Sequence, residues 1–232
     1  MFLINITINA ETIKMIYIFV DRDGTLNRDL GYYGGDDNWA DNLEFHGGVI
    51  DGLRLLGGRD EIKIHIASNQ SGVAIGYFSE GRAREITEYI MKITREAGGR
   101  IDGYELSFHV PLFGYVIRRA LEGRLSLSNV DWKYVKLRTP RRKPDIGMMK
   151  NVVEADGNKI GNSVIYMIGD LKQDIEMGIN AGGKSVLVLN GSNDKEKGKV
   201  EKLMNKPKLK GRIQIVENFL EAAKWILDDL YS

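Results

Sequence analysis

Ile16–Val20 (IYIFV) runs directly into residues 21–25 (DRDGT), and this stretch decides how the rest of the chain is interpreted. The five apolar residues predict a buried strand that ends at Asp21. Carboxylates two residues apart on extended backbone point to the same side, so one can attack a substrate while the other transfers protons. Gly24 permits a sharp turn, and Thr25 adds a hydroxyl. Turns and calcium loops favour the same residue types, so the stretch alone leaves a catalytic site and a structural turn both open.

Strand and helix patterns alternate along the rest of the chain. Apolar runs predict further strands over residues 62–68, 164–168, 186–189 and 213–216. Apolar residues at helical spacing predict three helices: one capped by Ser79 and stopped by Gly98-Gly99, one over residues 146–153, and one over residues 219–230. This alternation predicts an α/β fold, a Rossmann-like parallel sheet with helices on both faces. Ligands of such sheets bind at the carboxyl ends of the strands.

Some segments fall outside this pattern. We predict one domain over residues 15–232, with loop insertions at about 27–48 and 101–142 and an N-terminal extension over residues 1–14. Both insertions are too short for a large cap domain, and the second has the length of a small lid. The lysine-rich residues 195–212 are expected to form a solvated surface segment.

Composition excludes several functional classes. The 232 residues carry 33 Lys and Arg against 32 Asp and Glu, and this near-zero net charge disfavours nucleic acid or an anionic membrane as partner. The absence of cysteine rules out disulfides, thiol nucleophiles and Cys-ligated metals. The longest apolar run spans residues 15–20, too short for a membrane span, and no basic residue precedes an apolar core at the N-terminus. We therefore expect a cytoplasmic protein.

Two further polar motifs suit phosphate. Residues 68–72 (SNQSG) end a predicted strand, where the Ser68 hydroxyl and backbone N–H groups can hold a phosphate oxygen. A polar turn leaving a strand explains the same residues. Residues 142–145 (RKPD) precede a predicted helix, and Lys143 offers a compact cation for a phosphoryl group. Taken by itself, this motif is also typical of a solvated basic turn.

A third motif, residues 169–174 (GDLKQD), brings more carboxylates to the same edge. Asp170 follows a predicted strand, so it can meet Asp21 and Asp23 where neighbouring parallel strands end. Clustered carboxylates repel one another unless a cation lies among them, and oxygen ligands with open positions suit Mg²⁺. Asp174 has three possible roles: a second metal ligand, an anchor for the Asp170 loop, or an acid favoured at a helix N-terminus.

The four motifs in this order resemble the haloacid dehalogenase (HAD) superfamily over roughly residues 15–190. The segments DRDGTLN, SNQSGVAIGYF, RKPDIGM and GDLKQD are similar to its histidinol-phosphatase and heptose-bisphosphate phosphatase branch. Polynucleotide 3′-phosphatases share part of the pattern. The resemblance implies a HAD-like fold and a Mg²⁺-dependent phosphomonoester hydrolase that works through an aspartyl-phosphate.

The resemblance also implies residue roles. Asp21 would be the nucleophile, and Asp23 the acid and then the base. The side chain of Arg22, which lies between them in the sequence, is expected to point away, as strand alternation demands. The implied metal ligands are Asp21, Asp23 through its backbone carbonyl, Asp170 and Asp174. The implied phosphate- and substrate-binding residues are Thr25, Ser68, Asn69, Arg142 and Lys143.

The chain departs from this branch in one segment. Members often carry cysteines and a histidine that bind zinc before the Arg-Lys-Pro motif. Here that region has no cysteine, and His109 alone cannot build a tetrahedral site, so we expect no zinc. The long stretch over residues 112–142 implies a different substrate-facing loop.

We expect a small phosphorylated metabolite as substrate: a sugar phosphate or bisphosphate, or a compound like histidinol phosphate. A polynucleotide 3′-phosphatase is the alternative, because basic residues crowd the stretch from Lys133 to Lys143 with Trp132 and Tyr134 beside them. A solubilising loop explains the same residues, and the near-zero net charge favours it. A phosphotransferase and a non-catalytic phosphate-binding protein are further alternatives. The second is disfavoured because every residue that the chemistry requires is present.

Overall fold

A computed structural model describes residues 14–31, 34–191 and 193–232. The predicted N-terminal extension lies outside the described residues, apart from Lys14.

The main sheet has six parallel strands in the order β3-β2-β1-β6-β7-β8. The strands are, in chain order, β1 (Ile16–Val20), β2 (Ile62–Asn69), β3 (Gly103–Ser107), β4 (Val110–Pro111), β5 (Val135–Lys136), β6 (Val164–Gly169), β7 (Lys184–Val188) and β8 (Ile213–Val216). Strands β4 and β5 form a separate parallel pair.

Helices cover both faces of the main sheet. They are α1 (Val49–Gly57), α2 (Ser71–Ala74), α3 (Glu80–Glu96), α4 (Arg118–Leu121), α5 (Gly147–Ala155), α6 (Lys172–Asn180), α7 (Asp194–Met204) and α8 (Phe219–Tyr231). One core layer joins α1, α3 and α8 to side chains such as Ile18 and Ile64. The other joins α5 and α6 to Tyr17, Phe19 and Met167. The predicted α/β class is confirmed: the sheet is parallel and flanked by helices on both faces.

Strand β1 lies at the centre of this arrangement. All five of its residues are buried, because successive side chains enter opposite core layers. Val20 is in register with Ile66 of β2 and Ile168 of β6, and the Asp21 N–H donates to the Ile168 carbonyl at 2.9 Å. The residues that follow these three strands therefore meet at one edge.

Several elements were not predicted, because their sequences are too polar or too short to show a pattern. The shortest of them, α2, α4, β4 and β5, have two to four residues each. Strand β3 (GYELS) is an edge strand within the predicted 101–142 insertion, with Glu105 at its middle. Helix α1 follows the predicted 27–48 insertion, and Gly52 interrupts its apolar stripe. Strand β7 begins two residues before its predicted start, because the polar residues Lys184 and Ser185 precede the apolar run. Ser185 is nevertheless buried, and its hydroxyl donates to the Ile175 carbonyl at 3.0 Å.

The interpretation of residues 195–212 as a solvated segment was wrong. Helix α7 occupies much of it, and Val200, Leu203 and Leu209 pack against Leu187 and Ile213 of the sheet. This amphipathic helix was not recognised in the sequence, because the many lysines on its solvent face mask its apolar residues.

The segment after β3 builds a small unit beside the carboxyl edge of the sheet. It contains β4, a π-helical turn over Leu112–Ile117 that continues into α4, and β5. Val110, Val116, Val130 and Tyr134 form its buried cluster together with residues after β2 and in α3.

Candidate active site

Four of the predicted site residues, Asp21, Asp23, Ser68 and Asn69, line one pocket at the carboxyl edge of the sheet. The pocket has a volume of about 260 Å³. Its lining includes Asp21, Asp23, Ser68, Asn69 and Gln70, which follow or end strands β1 and β2. Parallel neighbours bring these ends together, as the ordering of the motifs predicts.

Three carboxylates stand close enough to share a cation. Asp21, Asp170 and Asp174 each offer an oxygen, and these oxygens lie within 4.8 Å of one another. Burial, and then the charges of Asp174 and Asp21, raise the pKa of Asp170 to about 8. A hard divalent cation would relieve this repulsion and prefers oxygen ligands, so the cluster fits Mg²⁺.

Lys143 neutralises part of the same cluster. Its Nζ lies 2.8 Å from Asp21 Oδ1 and 2.6 Å from Asp174 Oδ1, and it donates to the Ala67 carbonyl at 3.0 Å. Burial lowers the pKa of Lys143, but the Asp174 and Asp21 carboxylates more than offset this and raise it above the ordinary value. The lysine is therefore a permanent cation beside the proposed nucleophile.

Asp174 anchors the loop that carries Asp170. Its Oδ2 accepts from the Leu171 N–H at 2.9 Å, and the side chain is fully buried. Gly169 allows this close approach, since a Cβ there would lie 2.3 Å from the Asp174 side chain. Of the three roles considered for Asp174, loop anchoring is observed, and metal binding stays a prediction.

Asp23 is held by a buried arginine that sequence reasoning expected to point away. The Arg22 side chain is fully buried, and its Nη2 donates to Asp23 Oδ2 at 2.7 Å and to Gln70 Oε1 at 2.9 Å. Its Nη1 donates to Thr87 Oγ1 of α3 at 3.1 Å. Burial raises the pKa of Asp23, but Arg22, with Gln70 and Asn27, lowers it below the ordinary value. The Arg22 side chain does point away from Asp21, as alternation predicts, but there it enters a buried hydrogen-bond network with Asp23, Gln70 and Thr87.

Gln70 is a site residue that sequence reasoning quoted without assigning a role. Its Nε2 donates to Asp23 Oδ2 at 2.8 Å and to Ser68 Oγ at 3.0 Å. The signal was available, because residues two apart near a strand end point to the same side.

Thr25 and Gly24 both lie next to the Asp170 carboxylate. The Thr25 hydroxyl donates to Asp170 Oδ1 at 3.0 Å. Gly24 has a φ of +85°, and a Cβ there would lie 2.4 Å from Asp170 Oδ2, so only glycine fits. The structure therefore gives Thr25 a contact with Asp170, and its predicted phosphate contact stays a prediction.

Asn69 and Arg142 are the two remaining predicted substrate-binding residues, and both have contacts within the protein. Asn69 Oδ1 accepts from the Lys143 N–H at 3.0 Å, so Asn69 supports the backbone that presents the lysine. The Arg142 side chain extends to the His109 carbonyl at 3.3 Å and lies over the Tyr115 ring. Their predicted substrate contacts stay predictions.

The pocket is also lined by residues to which the sequence analysis gave no role. Asp29, Phe78 and Gln173 line it. Asp29 lies in the first predicted insertion and Gln173 inside the GDLKQD motif, where neither has a distinguishing pattern of its own. They belong to the site through tertiary placement alone.

His109 packs edge-to-face against Tyr134, with ring centroids 5.9 Å apart. The predicted absence of zinc stays a prediction. No helix within the described ranges has the length and apolarity to cross a membrane.

Comparison with known proteins gives relatives for most of the chain. Residues 140–222 match the HAD-hydrolase-like family model. The D-glycero-beta-D-manno-heptose-1,7-bisphosphate 7-phosphatase of Haemophilus influenzae is 35% identical over 175 residues, covering 75% of this chain and 82% of the relative. The protein of that name from Escherichia coli K12 is 31% identical, covering 75% and 79%.

Solved structures share the fold. D,D-heptose 1,7-bisphosphate phosphatase from B. bronchiseptica, complexed with magnesium and phosphate, aligns with a TM-score of 0.67 at 20% identity, covering 93% of this chain and 99% of that chain. The corresponding phosphatase from Burkholderia thailandensis gives 0.54 at 18% identity, covering 94% and 99%.

Proposed function

The chain belongs to the D-glycero-beta-D-manno-heptose-1,7-bisphosphate 7-phosphatase family of HAD-like hydrolases, and from this premise we propose that it is a Mg²⁺-dependent phosphomonoesterase. Its substrate is a small phosphorylated metabolite, a sugar phosphate or bisphosphate or a compound like histidinol phosphate. The observation that carries the proposal is the contact of buried Lys143 with Asp21, which lines a pocket together with Asp23 and Ser68.

In the first step, an Asp21 carboxylate oxygen forms a bond to phosphorus as the bond to the leaving oxygen breaks. Asp23 gives its proton to the leaving oxygen. An incoming phosphoryl dianion favours the protonated form of Asp23, because neighbouring anions repel. Lys143 and Ser68 hold the phosphoryl oxygens and spread the charge of the transition state.

In the second step, water attacks the phosphorus of the aspartyl-phosphate. Asp23 takes a proton from that water, the bond between Asp21 and phosphorus breaks, and inorganic phosphate leaves. Arg22 and Gln70 favour the ionised form of Asp23 that this step requires. The protein returns to its starting state.

The carboxylate cluster supports a role for Mg²⁺. Asp21, Asp170 and the backbone carbonyl of Asp23 would hold it, with Asp174 as a further ligand. When bound, the ion supplies Lewis-acid neutralisation of phosphoryl charge. Lys143, which contacts Asp21 Oδ1 and Asp174 Oδ1, adds a fixed cation from the protein itself.

The lining supports a small polar substrate. A pocket of about 260 Å³ accepts a phosphoryl group and a short carbon chain. Asp29, Asn69 and Gln173 offer acceptors and donors for hydroxyl groups, as a sugar requires.

The proposal is tested by phosphate release from a panel of phosphomonoesters with Mg²⁺. The panel contains heptose 1,7-bisphosphate, sugar monophosphates, histidinol phosphate and a 3′-phosphorylated oligonucleotide. We expect a sugar phosphate to rank first in kcat/KM. A steeply salt-sensitive preference for the oligonucleotide would instead favour the 3′-phosphatase, since contacts to a nucleic-acid backbone release counterions.

Chelation is expected to stop turnover reversibly. EDTA leaves Asp21, Asp170 and Asp174 as mutually repelling carboxylates, so phosphate release should fall to background and return when Mg²⁺ is added in excess. Full activity of the chelated protein, with the removal of divalent metal verified by metal analysis, would contradict the metal assignment.

A further inference from the structure

Two guanidinium groups lie on one tyrosine ring beside the pocket. The Cζ atoms of Arg119 and Arg142 are 5.3 Å and 5.5 Å from the centroid of the Tyr115 ring, within the range of cation–π attraction. The Tyr115 hydroxyl donates to Ser71 Oγ at 3.2 Å, and Ser71 lines the pocket. The ring therefore links both arginines to the rim of the candidate active site.

The backbone under Tyr115 is well supported. Its neighbour Val116 is fully buried in the cluster formed by the segment after β3. Arg119 follows Tyr115 by four residues across the π-helical turn and α4, a spacing that places side chains on one helical face.

The backbone at Arg142 is equally well supported. The next residue, Lys143, is held by Asn69 through its backbone and by two carboxylates through its side chain. The Arg142 side chain itself is long and has many rotamers, so its guanidinium has a defined place only where partners hold it. The Tyr115 ring and the His109 carbonyl are such partners.

The charge of this segment favours an anionic ligand. Residues 112–143 contain nine Lys and Arg against two Asp and Glu, although the whole chain is nearly neutral. Arginine's planar fork suits bidentate contacts with phosphate.

We propose that Tyr115 is a positioning residue that holds Arg142 and Arg119 at the pocket rim, where they receive a second phosphoryl group of the substrate. This inference rests on the proposed function and deepens it, since it makes discrimination between bisphosphate and monophosphate depend on an aromatic side chain. Tyr115 itself need not touch the substrate.

The test compares Tyr115→Leu and Tyr115→Phe on heptose 1,7-bisphosphate and heptose 7-phosphate, which differ by one phosphoryl group. Tyr115→Leu removes the ring, so KM for the bisphosphate should rise about tenfold, with kcat and the KM for the monophosphate within about twofold of wild type. Tyr115→Phe keeps the ring, so its KM for the bisphosphate should stay close to that of the wild type. Phe113→Leu, in the same turn and largely exposed, is the matched control and should change neither constant.

Arg119→Gln gives a second measurement that leaves the ring and its packing in place. It should raise KM for the bisphosphate about threefold and leave the monophosphate unchanged. The proposal is overturned if Tyr115→Leu leaves KM for the bisphosphate unchanged, or raises KM equally for both substrates. Wild-type protein that releases phosphate from neither sugar nor from 4-nitrophenyl phosphate would overturn the proposed function first, and the role of Tyr115 with it.

Discussion

Replacing Asp21 with asparagine is expected to lower turnover by about 10⁴-fold or more, because an amide oxygen cannot form the aspartyl-phosphate. The fold should remain. Asn keeps an oxygen for the Arg22 N–H, which donates to Asp21 Oδ1 at 2.7 Å, and Lys143 retains Asp174 as its counter-ion. Phosphate release measures turnover, and circular dichroism with thermal unfolding checks the fold.

The matched control for Asp21→Asn is Asp51→Asn. Asp51 lies on α1 in an exposed ion pair with Arg54, so its loss should leave turnover unchanged and alter stability by less than about 0.5 kcal/mol. If Asp21→Asn kept more than about a tenth of wild-type turnover, Asp21 would not be the nucleophile. In that case another group would have to attack the phosphorus.

Replacing Lys143 with methionine is expected to reduce both stability and turnover. The change removes the cation between two buried carboxylates, and breaking a buried ion pair in this way costs about 3–5 kcal/mol. The loss of a fixed positive charge at the phosphoryl group should lower kcat about 10²- to 10³-fold. Thermal or denaturant unfolding and steady-state kinetics measure the two effects separately.

A double variant separates the structural from the catalytic contribution. In Lys143→Met combined with Asp174→Asn, one of the two stranded carboxylates becomes neutral, so we expect part of the stability to return while turnover stays low. Lys150→Met is the control, since Lys150 lies in an exposed i,i+4 pair with Glu154 on α5. Recovery of turnover in the double variant would show that Lys143 acts on stability alone.

Most of the site was accessible to sequence reasoning because its chemistry lies directly after strands. Asp21, Ser68 and Asp170 each follow or end an apolar run, and the ends of adjacent parallel strands share one edge. Lys143 was found through the motif around it. That it is buried against Asp21 depends on a contact between segments 122 residues apart.

The parts that sequence reasoning missed have contacts that no local pattern encodes. Arg22 reads as a charged residue facing away from Asp21, yet α3 and Gln70 give its guanidinium buried partners. The hydrogen bond of Thr25 to Asp170 was not predicted either, and the predicted phosphate contact of Thr25 stays a prediction. In each case the direction of a side chain is decided by an element distant in sequence.

The fold shows the same division. The central strands were predicted from their apolar runs, because a strand buried on both faces has few polar residues. The edge strand β3 and the lysine-rich α7 were not, because elements with one solvated face carry polar residues that mask their period.

The sequence by itself determined the α/β class, the order of the motifs and the edge of the sheet where the chemistry lies, because these follow from local periodicity and from the geometry of parallel strands. Only the tertiary structure decided which side chains pair across that edge. It placed Lys143 between Asp21 and Asp174, Arg22 against Asp23, and Tyr115 under two arginines. Buried charges require partners, and which partners are within reach depends on how the whole chain packs.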